Sequence, residues 1–210
     1  MIKLFLADDR PVVLGALNRI VAEYPDMCVA GAATSRGELL GKIVTADADL
    51  LLLDVSVAGP GIFALLRQLK KERPTIRVLV LGVQGEDQHA LRVLGTGAAA
   101  YLTRDHSASE LVAAIRRVVR GATFVSSTLA QRLVLNQRAI SERPRYEALS
   151  DREYQVLCMF GSGRAFSEIA AELGVSRKTV STYRSRVLHK LRLTTNADLI
   201  RYAVEHRLVL

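Results

Sequence analysis

Leu50-Leu51-Leu52-Leu53-Asp54 is the stretch that decides the fold. Four consecutive leucines between two acids read as a strand buried on both faces, since a half-exposed strand would alternate apolar and polar side chains. Such strands belong to parallel sheets with helices above and below. The flanking sequence alternates accordingly. Residues 2–7 (IKLFLA), 27–31 (MCVAG), 78–81 (VLVL) and 98–102 (AAAYL) supply further short apolar strands. Between them, Val13, Leu17, Ile20 and Val21 recur at helical spacing within residues 12–24, and Leu39, Leu40, Ile43 and Val44 mark a second helix. Helices are also expected over 62–71, stopping before Pro74, over 87–94, and over 109–120, with Ser109 as cap and Gly121 as stop. Strands alternating with helices in this way imply an α/β fold with a five-stranded parallel, doubly wound sheet.

The pattern changes after residue 121. Residues 128–135 (TLAQRLVL) suit one more helix, and 136–145 is polar, contains Pro144 and reads as a linker. From Leu149 onward the spacing is helical throughout. The expected organisation is a first domain over 1–121, a helix and linker over 122–148, and a smaller all-α domain over 149–210.

Composition narrows the class. Half of the 210 residues are hydrophobic, yet no apolar run reaches the roughly 18 residues of a membrane span. The opening MIKLFLADDR reaches two acids by residue 9, unlike a secretory leader. Cys28 and Cys158 lie far apart in apolar settings and read as reduced core thiols. The four histidines and two cysteines show no metal-ligand spacing. A cytoplasmic protein is expected. The net charge of +8 is uneven: residues 1–120 hold 15 basic and 13 acidic side chains, residues 121–210 hold 14 and 8. The C-terminal excess points to a polyanionic partner.

Asp8 and Asp9 follow the first strand, and Asp54 follows the third. In an open parallel sheet, functional groups collect beyond the carboxyl ends of the strands, where the strand order reverses. In the order 2-1-3-4-5, strands one and three are neighbours there, and the three carboxylates converge. Such a cluster is unfavourable without a cation or a shared proton. Oxygen ligands suit Mg2+, and a metal-linked carboxylate is a competent nucleophile toward phosphorus.

On Ala7-Asp8-Asp9-Arg10-Pro11 and Leu51-Leu52-Leu53-Asp54 the chain resembles a response regulator of the NarL/FixJ type, over nearly its full length. The resemblance implies a flavodoxin-like receiver domain. It implies Asp54 as phosphoacceptor from a sensor histidine kinase, with Mg2+ held by Asp8, Asp9, Asp54 and the backbone carbonyl of Ser56. Tyr101 stands where the family keeps its switch aromatic. Other positions depart from the pattern. Gly82 replaces the usual Thr or Ser, Arg104 the usual Lys, and Arg10 the usual His. The loop after Asp54 has Val57, Ala58 and Ile62 where Met-Pro and a Gly are usual.

These departures have physical consequences. A hydroxyl at position 82 would donate to a phosphoryl oxygen, a charge-assisted bond of roughly 1.5–3 kcal/mol. A full two-state shift needs about 5.5 kcal/mol, so its loss removes a large share of the signal. Arg104 is longer than Lys, planar and always protonated. Arg104 and Arg10 are expected to pair with Asp54 and Asp9 without phosphate. Weak or phosphorylation-independent control is one expectation. A conventional switch at Asp54 is the alternative, because all three acids are kept.

The C-terminal segment carries a second motif. Ser150 and Glu153 have capping-box spacing, and Val156, Leu157 and Phe160 form a buried face. Residues 161–163 (GSG) end that helix. Residues 166–173 make a short helix closed by Gly174, and Ser176 caps a third. Two short helices around a tight glycine turn fit a helix-turn-helix. In the third helix Val180, Val187, Leu188 and Leu191 serve the core. Arg177, Lys178, Arg184, Arg186, Lys190 and Arg192 occupy the remaining face, and no acid occurs from 176 to 192. Cations interleaved with hydroxyls suit phosphate and base-edge contacts. The runs LSDRE (149–153), EIAAEL (168–173) and TVSTYR (179–184) resemble a LuxR-type helix-turn-helix, with residues 196–203 as its fourth helix. That resemblance implies base contacts from Ser181, Thr182 and Ser185. It implies DNA-backbone contacts from Lys178, Thr179, Tyr183, Arg184 and Arg186, Tyr183 standing for the usual His. It also implies a homodimer on paired half-sites of double-stranded DNA. Small base-facing hydroxyls give DNA shape a part in recognition.

The sequence therefore reads as a two-domain DNA-binding transcription regulator and not an enzyme. A Mg2+-dependent phosphatase would need a second catalytic acid and a substrate pocket that the sequence lacks. A receiver that chiefly binds a protein partner, with DNA binding secondary, is the reading from a different class.

Overall fold

The computed structural model describes residues 1–82, 87–126, 130, 145–206 and 208–209. It divides into two units, Met1–Val134 and Leu135–Leu210. The helix expected over 128–135 and the linker over 136–145 fall almost wholly outside the described residues.

In the first unit β1 (Ile2–Ala7), β2 (Met27–Ala33), β3 (Leu50–Asp54), β4 (Arg77–Gly82) and β5 (Ala100–Thr103) run parallel. A sixth strand, β6 (Phe124–Val125), pairs with Ala100 and Tyr101, giving the order β2-β1-β3-β4-β5-β6. The five-strand expectation is corrected by this edge strand, whose two residues are too few to show any periodicity. The helices are α1 (Pro11–Ala22), α2 (Arg36–Ile43), the short α3 (Val55–Ala58), α4 (Ile62–Glu72), α5 (Asp87–Gly95) and α6 (Ala108–Val119).

Alternation along the strands sorts their side chains into two layers. Leu4, Leu6, Leu50, Leu52, Leu79, Leu81 and Leu102 share one core with Leu17 and Val21 of α1 and Leu111, Ile115 and Val118 of α6. Phe5, Leu51, Leu53, Val80 and Tyr101 take the opposite face and are equally buried. Each leucine of β3 contributes about 1.5–3 kcal/mol by leaving water.

Local chemistry sets the helix ends. Arg73 donates from one guanidinium nitrogen to the carbonyls of Ile43, Val44 and Ala46 at 2.8–2.9 Å, satisfying the orphan groups and negative dipole at the end of α2. Ser107, and not Ser109, caps α6 by accepting from the Glu110 amide. The cap must precede the acid at the third helical position by three residues, which selects Ser107; the Ser109 hydroxyl is left to hydrogen-bond that of Ser107. Cys28 and Cys158 are half-buried rather than in the core.

The second unit holds α7 (Asp151–Gly161), α8 (Phe166–Leu173), α9 (Arg177–Leu191) and α10 (Asn196–Glu205). Ser150 and Glu153 complete a capping box at α7, and Thr195 and Asp198 another at α10. Gly174 ends α8 at φ 63°, where a Cβ would be strained. Leu157, Ile169, Val180, Val187, Leu191 and Leu199 are fully buried. Among the described residues no helix is long and apolar enough to cross a membrane.

Candidate functional site

The first site lies at the carboxyl end of the sheet. β1 and β3 are paired neighbours, with Ala7 opposite Leu53, so Asp8 and Asp54 leave the sheet side by side. Both are buried, Asp8 to 0% and Asp54 to 1% exposure. Two buried carboxylates need compensating charge, and arginine supplies it. Arg104 grips Asp54 with two bonds, Nε at 3.0 Å and Nη2 at 2.6 Å. Arg10 grips Asp8 in the same way, Nε and Nη2 each at 2.9 Å, and its Nη2 reaches Asp54 at 3.3 Å. The Ser56 amide donates to Asp54 at 2.9 Å. Asp54 thus accepts four hydrogen bonds, close to the full capacity of a carboxylate. Asp9 turns aside: it accepts from the Ser56 hydroxyl at 2.7 Å and lies 3.7 Å from Arg10.

Burial pushes the Asp54 carboxyl up, but the hydrogen bonds from Arg104 and Ser56 outweigh it and hold the group below the ordinary carboxylate value. In return, the bond to Asp54 raises Arg104 and the bond to Asp8 raises Arg10. The two arginines are locked in their charged forms.

This donor set does not fit Mg2+. That ion needs carboxylate oxygens turned toward it, and both oxygens of Asp8 and of Asp54 face guanidinium groups. Among the described residues no group of three or more His, Cys, Asp or Glu side chains could hold a metal ion. Asp8, Asp9 and Asp54 converge on Arg10, whose guanidinium lies 2.9, 3.7 and 3.3 Å from them. Asp8 and Asp54 are clamped by arginine, while Asp9 is tied besides to the Ser56 hydroxyl.

Gly82 closes β4, opposite Thr103, and its carbonyl accepts from the Arg104 amide at 3.0 Å. Tyr101, two residues back on β5, is 1% exposed. A Cβ added at Gly82 would coincide with the Tyr101 hydroxyl and Cζ, and would stand 2.8 Å from Cε2. In the sequence Gly82 reads as a lost hydroxyl. In three dimensions its side-chain space is filled by a phenol from the next strand.

The second site is α9. Lys178, Ser181, Thr182, Ser185 and Arg186 are exposed, and their spacings of three and four residues align them on one face. Thr179, Tyr183 and Arg184 are half-buried at its margin. The Thr179 hydroxyl meets that of the capping Ser176 at 2.9 Å. The Thr182 hydroxyl donates to the Lys178 carbonyl at 3.0 Å, which leaves it an acceptor toward the outside. Arg184 donates from Nε to Asn196 of α10. Lys190 does not belong to this face: its Nζ lies 2.6 Å from Glu153 and 3.1 Å from the Ala148 carbonyl. Glu153 is 4% exposed; burial pushes its carboxyl up, and Lys190 outweighs that and holds it down. A buried acid thus claims a cation that sequence spacing assigns to the outer face. His189, exposed four residues after Ser185, extends the face and is absent from the sequence-based set; its i,i+4 spacing was the available signal.

Comparison with known proteins follows this division. Residues 4–116 match the response regulator receiver domain, and residues 147–203 the luxR family of bacterial regulatory proteins. The chain is 34% identical over 211 residues to response regulator GacA of Pseudomonas syringae pv. syringae, covering 100% of this chain and 98% of that one. It is 31% identical over 210 residues to response regulator UvrY of Escherichia coli, covering 99% and 96%. The fold is similar to that of RcsB from Salmonella enterica serovar Typhimurium, bound to promoter rprA with a phosphomimetic, with a TM-score of 0.74 at 22% identity over 96% of this chain and 97% of that one.

Proposed function

The chain belongs to the response regulators, with a receiver domain and a DNA-binding LuxR-type domain, and on that premise we propose that its receiver works without phosphorylation. Receiver domains generally bind Mg2+ for phosphorylation. Here the double arginine clamp carries the opposite reading. Arg104 and Arg10 neutralise Asp54 and Asp8 in place, so the pocket holds little charge for a divalent ion to offset. The oxygens of Asp54 are engaged and are not free to attack phosphorus. The clamp removes the phosphoryl input, and regulator concentration, a partner protein or dimer geometry sets the output.

In this reading residues 1–121 form the receiver, 122–148 a helix and linker, and 149–210 the DNA-binding domain, working in the cytoplasm as a homodimer. Lys178 and Arg186 meet phosphates, and Ser181, Thr182 and Ser185 face base edges of duplex DNA. Thr179, Tyr183 and Arg184 support the phosphate contacts. The promoter-bound state of RcsB supports DNA as the partner.

A specific observation favours the conventional reading as the rival. The Arg10 and Arg104 side chains are 45% and 36% exposed, so the clamp has a route to open. One experiment decides between them: Asp54→Ala in a transcription reporter, beside wild type incubated with acetyl phosphate and Mg2+. Equal output and no phosphoryl adduct by intact mass are expected. Loss of output in Asp54→Ala, with an adduct and dimerisation of the wild type, would overturn the proposal.

A further inference from the structure

Tyr101 is among the largest fully buried side chains of the chain, yet the strand beside it ends in the smallest residue. The two facts are one. With the ring in place, no side chain fits at residue 82; with a side chain at residue 82, the ring must leave. The location matters as much as the volume. Leu81, one residue before Gly82, pairs with Asp54, and the Gly82 carbonyl anchors the Arg104 amide. The phenol therefore rests on the piece of backbone that joins Asp54 to its clamp.

We infer that Gly82 and Tyr101 form a steric interlock that fixes this end of β4 and β5 in one arrangement, with the ring held inward. A two-state switch needs two tolerable positions for its moving part. Swinging Tyr101 outward would leave a ring-sized void beside a residue with no side chain to fill it, and packed interiors resist such voids. The same movement would bring the ring into water. A serine or threonine at position 82 would fill the void and make the outward position available. Glycine withholds that option. The inference deepens the phosphorylation-independent reading: the arginine clamp removes the input, and the interlock removes the moving part.

The test uses full-length protein and nitration by tetranitromethane, mapped by peptide mass spectrometry across the six tyrosines. Tyr101 should resist nitration in the wild type and gain about tenfold or more in reactivity in Gly82→Ser, the size of population change that overpacking a core produces. Half-buried Tyr24 and Tyr183 serve as references whose rates stay constant. A second measurement covers a variant that folds poorly. Urea unfolding of Gly82→Ser, Tyr101→Ala and the double variant forms a cycle. The serine should destabilise the protein only while the ring is present, so its effect should vanish beside Tyr101→Ala. If serine costs the same in both backgrounds, or if a folded Gly82→Ser leaves Tyr101 unreactive, the interlock is wrong. Neither readout involves phosphate. An acetyl-phosphate adduct on Asp54 would overturn the phosphorylation-independent reading and leave this result standing.

Discussion

At Asp54 the charge is settled by two guanidinium groups and a backbone amide, and the balance can be probed one group at a time. Arg104→Ala removes two of the four hydrogen bonds that Asp54 accepts. The expected destabilisation is about 1–3 kcal/mol by urea unfolding, the cost of leaving a buried acceptor short of partners. The pH dependence has a definite sign. Asp54 in the folded protein titrates below its ordinary 3.8, so as acid is added the unfolded chain takes up that proton first. The clamp's contribution is fully present above about pH 4 and is lost as pH falls through the lower folded value. Acid titration of stability should show a shallower loss in that window for Arg104→Ala than for the wild type. The actors, Asp8, Asp54, Arg10 and Arg104, were legible from the sequence because their types and strand-end positions are local features. Which acid Arg10 would hold was not. Arg10 was expected to pair with Asp54 and Asp9, and it reaches both, at 3.3 and 3.7 Å, but its two-bond grip is on Asp8, which the sequence reading did not name as its partner.

Among the elements, α9 shows how far periodicity carries. The spacing correctly separates Val180, Val187, Leu188 and Leu191, all buried, from an outer face. It does not separate cations that face outward from one that is claimed by another helix. Lys178→Ala and Lys190→Ala should therefore behave differently. Lys178→Ala should weaken DNA binding evenly across sequences and reduce the slope of log affinity against log salt by about 1. Lys190→Ala should leave the slope unchanged and destabilise the helical unit by about 1–3 kcal/mol, because Glu153 keeps its burial and loses its cation. Binding titrations at several salt concentrations, with thermal unfolding of the same variants, distinguish the two. Equal salt effects for both would return Lys190 to the DNA face.

For the whole molecule, the charge distribution dictates how it meets DNA. A net charge of +8, with the excess in residues 121–210, predicts binding dominated by counterion release. With about six phosphate contacts the slope of log affinity against log salt should lie near −5. Affinity insensitive to salt would count against α9 as a phosphate-tracking face. By itself the sequence determined the order of the main strands and helices, the caps Ser150 and Ser176, the acids at the strand ends and the basic helix. All of these rest on patterns within a few residues: alternation at two, recurrence at 3.6 and caps three residues ahead of an acid. The edge strand β6 escaped because two residues make no pattern. Only the tertiary structure decided that Arg10 holds Asp8, that Glu153 claims Lys190 and that Tyr101 fills the space at Gly82. Each of these depends on which segments approach one another and on how much volume remains between them, and neither quantity is written into the spacing of residues along the chain.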